Sequence, residues 1–336
     1  MEKKMMYATV AVVIVIIVAA VGAVLLLNKP APSGPQAKVV LLQKTAGAHA
    51  YSPLDQQAVY NGSYPLSRYL YLYTDGIPNS TSSEYQWLSY VYSVTQGEAD
   101  VTNAGFYPLQ TADRTAMLTQ LSHGNTNGPS GDFTEGGSTT MTEVATLWAT
   151  GFKALTGHTV TLSAGGSGTG IQQFTAGTIT VAQSSRAMTA AEKTTALSHG
   201  INVTEWKVAV DGLSIIVNVK NPVTTLTLAQ LEGLFNGTYT NWNQVGGSNS
   251  AVTLYGRDDA SGSYASFKDL VFKHGDTYAS SMLQANSNAL ILPEVENDAG
   301  GVGYVGIGYA KEASGQSSTA AQMSMTMIMA VAGVEL

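Results

Sequence analysis

The chain has 336 residues, no cysteine, a formal net charge of -7 and only 12% charged residues. That length is enough for two ordinary domains with substantial cores, and the missing cysteines exclude disulfides, thiolate metal sites and a lipid-bearing N-terminal cysteine. An acidic, charge-poor surface excludes the basic patches that nucleic-acid binding requires, and an anion must then be held by a local site, not by a general positive field.

Residues 5–27 are apolar almost throughout and carry no charge. The run is long enough to span a bilayer as a helix and longer than a usual signal core. Lys3 and Lys4 precede it, which places the N-terminus in the cytoplasm. The expectation is a retained single-pass anchor over 1–28 in the cell membrane, with the remainder extracellular. Residues 29–37 are rich in Pro and Gly and read as a linker. Asn-x-Ser/Thr sequons at Asn61, Asn79, Asn202 and Asn236 fit a secreted chain.

Residues 38–43 read as a short strand. The Tyr/Leu alternation over 69–73 predicts a strand with one aromatic face, best explained by core packing. Residues 80–96 have helical spacing, with Trp87, Leu88, Val91 and Tyr92 on one side. A second helix is expected over 111–121, and 123–132 is a polar linker.

Then the order strand, Gly/Ser/Thr turn, helix occurs three times. Gly136 to Thr140 (GGSTT) stands before the apolar-periodic run 141–155. The strand 158–163 leads into Ala164-Gly-Gly-Ser-Gly-Thr-Gly-Ile171 and a helix from Gln172. The strand 251–255 leads into Gly256-Arg-Asp-Asp-Ala-Ser-Gly-Ser263 and a helix over 264–272. Helix N-termini carry unpaired N–H donors and a partial positive charge, so three of them can converge on one oxyanion. Arg257 adds a planar fork suited to a tetrahedral oxyanion.

A helix is expected over 190–197 and an amphipathic one over 225–235. Residues 208–219 and 300–309 read as strand runs, 311–319 as a polar loop, and 323–334 as a strand-like alternation. Gly301-x-Gly-x-x-Gly306 lies inside a strand run and is not a dinucleotide fingerprint. The five histidines show no metal spacing, no G-x-S-x-G elbow occurs, and Ser167 has no base near it in sequence. Neither a cofactor nor an enzyme activity is expected.

The segments GGSTTMTEVATLWATGFKALTG, GGSGTGIQQFTAGTITVAQSSRAMT, VAVDGLSIIVNVKNPVTTLTLAQLEGLFNGTYTNWNQVGG, VTLYGRDDASGSYASFKDLV and GGVGYVGIGYA run in the order 133–310. In that order and spacing they resemble the phosphate-binding protein of phosphate ABC transporters. The segment NGSYPLSRYLYLYT and the ending GFYPL, both before residue 110, resemble the far end of the same family. The resemblance therefore implies a circular permutation, with 123–132 joining the old ends; termini of compact domains often lie close together.

The implied fold is α/β: a two-lobed periplasmic-binding-protein-like fold (type II), circularly permuted, with an N-terminal transmembrane helix. Lobe one would be 64–207, lobe two 38–63 with 208–310, and 311–336 an extension of uncertain placement. The implied function is capture of inorganic phosphate for an ABC transporter permease. The alternatives are a receptor for sulfate, molybdate or tungstate, a non-transport surface protein on the same fold, or a phosphate monoester hydrolase. Carried over position by position, Thr139, Ser167, Ser261, Gly262 and Ser263 are implied ligands, Thr140 through its backbone, and Arg257 as the cation oriented by Asp259. Ser185 stands where many members have aspartate, and Arg186 beside it is a candidate second cation. Asp211, in the apolar run VAVDGLSIIV, is the candidate carboxylate that takes over from the missing aspartate and favours protonated phosphate over sulfate.

Overall fold

The computed structural model describes Gly34, residues 36–272 and residues 275–315. The apolar run 5–27 and the alternation 323–334 lie outside these residues. Among the described residues no helix is long and apolar enough to cross a membrane.

The chain opens with two short strands, β1 (Ala37–Val39) and β2 (Leu41–Gln43), and one turn of helix, α1 (Gln56–Tyr60). Strand β3 (Ser67–Asp75) takes up the Tyr/Leu alternation. The stretch expected as one helix over 80–96 is instead α2 (Ser83–Val91), and α3 (Gly97–Asn103) follows a break. After α4 (Thr111–Leu121) comes β4 (Phe133–Gly137). A single tight turn, Thr139–Met141, leads into α5 (Thr142–Thr156), which Gly157 stops in the left-handed conformation at φ 80°.

Next are β5 (Val160–Ala164), α6 (Ser167–Thr175), β6 (Val181–Ser184), α7 (Ala190–Ser198) and β7 (Val203–Gly212). A capping box of Thr189 and Glu192 starts α7. The second half holds β8 (Ser214–Asn218), β9 (Thr225–Thr227), α8 (Leu228–Phe235), β10 (Thr253–Arg257), α9 (Gly262–Val271), β11 (Leu283–Ala285), α10 (Asn288–Asn297), β12 (Gly301–Val305) and α11 (Ile307–Ala313). Two expectations change here. The run 300–309 is strand only to Val305, and the start of the expected loop 311–319, as far as Ala313, is helix. The reason is tertiary: Asp211 Oδ1 accepts the Ile307 N–H at 2.9 Å, so a carboxylate from another element caps α11.

Two five-stranded sheets result, in the orders β5-β4-β6-β3-β7 and β1-β8-β12-β10-β11, with a small β2-β9 pair. In the first, β4 runs parallel to β5 and β6, while β3 is antiparallel to β6 and β7. In the second, β10, β11 and β12 are parallel and β8 is antiparallel to β1 and β12. The chain enters the first sheet at β3 and leaves it only after β7, which stays bonded to β3 as far as Gly212. The first sheet thus runs past 207, the end expected for lobe one, to Gly212. There the two connections between the sheets run side by side. The Leu213 N–H donates to Leu66 O at 3.0 Å, and the Tyr64 hydroxyl donates to Leu213 O at 2.8 Å.

Buried aromatics fill both halves. Trp87 packs edge-on against Phe152 at 5.2 Å beside the first sheet, and Phe267 stacks on Tyr304 at 4.5 Å beside the second. Rings of this size dominate core energetics.

Candidate oxyanion site at three helix starts

All three Gly/Ser/Thr turns meet where the sheets' loops face each other. β4 ends at Gly137 with φ 136°, a conformation that favours glycine, and a Cβ there would lie 2.2 Å from Gln183 O. The chain can then turn so that Ser138 Oγ accepts the Thr140 N–H at 3.2 Å. At the second turn a Cβ on Gly170 would stand 2.3 Å from Gly137 Cα, so glycines let α6 sit close on β4. Helix α6 begins at Ser167, earlier than the expected Gln172. At the third turn Ser261 caps α9 by accepting the Ser263 N–H at 3.1 Å.

Hydroxyls of these turns make close contacts. Thr140 Oγ1 of the first turn and Ser263 Oγ of the third are 2.9 Å apart, and Ser167 Oγ of the second lies 3.3 Å from Ser185 Oγ, just after β6. A Cβ on Gly262 would come within 2.3 Å of Ser167 Oγ and 2.4 Å of Ser185 Oγ. The Gly168 N–H donates to Ala260 O at 3.1 Å. Thr140, Ser167, Ser185, Ser261 and Ser263 are all buried.

Arg257 closes the group. It is 0% exposed, and no carboxylate among the described residues lies within ion-pair distance. Its guanidinium donates to Ala285 O at 3.1 Å, Asn286 O at 2.8 Å, Asn288 Oδ1 at 3.1 Å and the Thr139 hydroxyl. Burial pulls its pKa below the usual arginine value, with Asp258 opposing. Asp259, expected to orient Arg257, is exposed and does not touch it; neutral acceptors on β11 and α10 do that work. Asn288 Nδ2, also buried, has no hydrogen-bond partner among the described residues. The missing side chain of Gly306 leaves space beside it: a Cβ there would stand 3.4 Å from Asn288 Nδ2, 3.6 Å from Asp211 Oδ1 and 3.6 Å from Thr140 Cγ2.

Two further expectations change. Arg186 does not reach the cluster, because it forms a bidentate pair with Glu192 at 2.6 and 2.8 Å. Asp211 is not a spare acceptor: Oδ2 takes the Nε and Nη2 of Arg68 at 2.9 and 2.6 Å, and Oδ1 takes the Ile307 N–H. Arg68 also donates to Ser263 Oγ at 2.9 Å and Ser185 O at 3.2 Å, so it ties the third turn to the chain just after β6. Sequence reasoning missed Arg68. The available signal was a lone cation beside an alternating apolar strand, together with a mid-strand Asp211 that needed a partner.

A cavity of about 440 Å³ opens from Thr139 and Asn288 along Glu143, Gly165, Ala289 and Tyr309. The Tyr309 hydroxyl donates to Glu143 Oε1 at 2.5 Å. Burial raises the Glu143 pKa, with Tyr309 and, more weakly, Arg257 opposing. Chemically, Arg257, the turn hydroxyls and the backbone N–H groups at the helix starts form an arrangement that can hold an oxyanion.

Comparison with known proteins follows the same line. The PBP superfamily domain profile matches residues 124–334. The phosphate-binding protein PstS of Pseudomonas aeruginosa is 30% identical over 197 residues, covering 54% of this chain and 61% of that protein. PstS of Borreliella burgdorferi is 32% identical over 183 residues, covering 52% of this chain and 63% of that protein. The chain thus spans less than two thirds of the length of these relatives. A solved ABC-type phosphate transport receptor from Vibrio cholerae shares 28% identity with a TM-score of 0.43, over 54% of this chain and 74% of that one.

Proposed function

The chain belongs to the PBP superfamily, and from that premise we propose that it captures inorganic phosphate outside the cytoplasm and delivers it to an ABC importer. The observation that carries this reading is Arg257: a fully buried guanidinium without a carboxylate partner among the described residues, facing hydroxyl-bearing turns. A buried charge is costly unless compensated, and an oxyanion compensates it. The relatives named PstS support phosphate as that oxyanion.

In this reading Arg257 supplies the charge, and Asn288 Nδ2 is a further donor. Thr139, Ser167, Ser261 and Ser263 offer hydroxyls, while Thr140 and Gly262 offer backbone N–H groups. Ser185 is a neutral neighbour, and Arg68 positions Ser185 and Ser263. The side-by-side connections at Leu66 and Leu213 are the natural hinge for the two sheets. The chain is a binding protein and not an enzyme. It is a circular permutation of its family, a reading supported by β1 and β3 taking places in different sheets before β4 begins. Residues 5–27 anchor it to the membrane, a proposal that rests on hydropathy alone.

Titration calorimetry with phosphate, sulfate and molybdate tests the function. Phosphate should bind at least about tenfold more tightly than the other two. No heat with phosphate, or tighter binding of molybdate, would overturn it. For the permutation, a chain opened within 123–132 and rejoined from 315 to 36 by a flexible linker should fold and bind phosphate.

A further inference from the structure

The cavity beside Arg257 is larger than a bare tetrahedral anion needs. At about 440 Å³ it falls in the range of about 300–1,000 Å³ that holds whole small molecules. Its lining also combines two kinds of chemistry. Asn288 and Thr139 bring donors, and Arg257 is bonded to both. Glu143 and Asp258 bring carboxylates, and Thr142, Ser287 and Tyr309 bring hydroxyls. An ionised carboxylate only accepts hydrogen bonds, so this wall asks for O–H donors. A hydrogen phosphate dianion has a single O–H to offer and its charge is repelled by ionised carboxylates, whereas a neutral polyol substituent brings several O–H donors.

From this combination we infer that the site admits phosphate monoesters of small polyols, with the phosphate group at Asn288 and Thr139 and the neutral substituent against Glu143 and Tyr309. The inference rests on the oxyanion reading above and extends its ligand class. The phosphoryl oxygens take the same donors as inorganic phosphate. The ester oxygen points toward the cavity, and the substituent's hydroxyls donate to Glu143. Glu143 already accepts from Tyr309 at 2.5 Å, which fixes its carboxyl group in the cavity wall. Ala289 lines the same space from the first turn of α10 and leaves it open by its small size.

The test is titration calorimetry on the full chain with inorganic phosphate, glycerol 3-phosphate and glycerol, using wild type, Ala289→Phe and Glu143→Gln. Wild type should bind glycerol 3-phosphate within about tenfold of phosphate, and glycerol without detectable heat. Ala289→Phe fills the cavity and should weaken glycerol 3-phosphate by about tenfold or more while phosphate stays within about twofold. Glu143→Gln preserves shape, so it serves where Ala289→Phe lowers the melting temperature; it should weaken only the monoester. Wild type binding phosphate but holding glycerol 3-phosphate more than about a hundredfold more weakly would overturn this inference alone. Equal losses for both ligands in the two variants would do the same. Failure of both ligands to bind wild type would overturn the oxyanion reading and this inference with it.

Discussion

Arg257→Ala separates an anion-binding role from a structural one. The substitution removes a guanidinium that is 0% exposed and takes a donor from Asn286 O and Asn288 Oδ1, while Ala285 O keeps the Asp258 N–H at 3.2 Å. Each unsatisfied group costs about 1–3 kcal/mol if water cannot reach it. Against that, the change also removes a buried charge with no carboxylate partner among the described residues, which relieves a desolvation penalty. The two effects oppose, and the adjoining cavity lets water serve the freed acceptors, so the melting temperature should move little. Anion binding has no such offset. Losing a buried charge-assisted partner costs about 2–5 kcal/mol, which at about 1.4 kcal/mol per decade is a loss of about 30-fold to about 4,000-fold in phosphate affinity. Arg257→Lys should fall between, because one ammonium cannot serve Ala285, Asn286, Asn288 and Thr139 together. Calorimetry with phosphate, beside a thermal melt, reads both quantities. A folded Arg257→Ala protein that binds phosphate within about threefold of wild type would refute the reasoning.

Three other outcomes are expected. Gly262→Ala would put a methyl 2.3 Å from Ser167 Oγ and 2.4 Å from Ser185 Oγ; overpacking of about 1–3 kcal/mol should appear as weaker phosphate binding, and unchanged affinity would mean that these loops part freely. Asp211→Asn leaves Arg68 buried without its counter-charge, so stability should drop by about 3–5 kcal/mol, while Arg68→Met with Asp211→Leu recovers most of it. The phosphate-to-sulfate ratio of folded Asp211→Asn should not move, and a changed ratio at an unchanged melting temperature would restore Asp211 as the discriminator. Glu135 is 0% exposed, and burial raises its carboxyl from 4.5 to about 8, with Trp87 opposing slightly. The folded chain then holds a proton that the unfolded chain has lost, so this contribution to stability falls as pH rises from 4.5 to about 8. Melts across that range should be flatter for Glu135→Gln than for wild type, and identical slopes would exclude the effect.

Much of the site was legible in local sequence, because a helix start is a local event. The residues from Gly136 to Thr140, those around Ser167 and those from Arg257 to Ser263 each carry their own turn chemistry, and glycine or hydroxyl residues stand where the backbone must bend or be capped. Helix α4 has the bounds expected for it, 111–121. The alternation of β3 was equally plain, since a strand shows its buried face by period two. Beyond such short-range signals, partners were a matter of tertiary structure. Asp211 read as a carboxylate in search of a role, but Arg68, which satisfies it, is 143 positions away in the chain. Asp259 is a near neighbour of Arg257 in sequence, yet the backbone turn leaves it in solvent and hands the guanidinium to β11 and α10. Arg186 was drawn outward by Glu192, placed one helical turn on by a capping box. Composition and local pattern by themselves determined that three helix starts carry neutral donors and that Arg257 stands beside one of them. Only the packing of two sheets decided which charges are spent on one another, because Coulombic and hydrogen-bond partners are chosen by distance in space and not by distance along the chain.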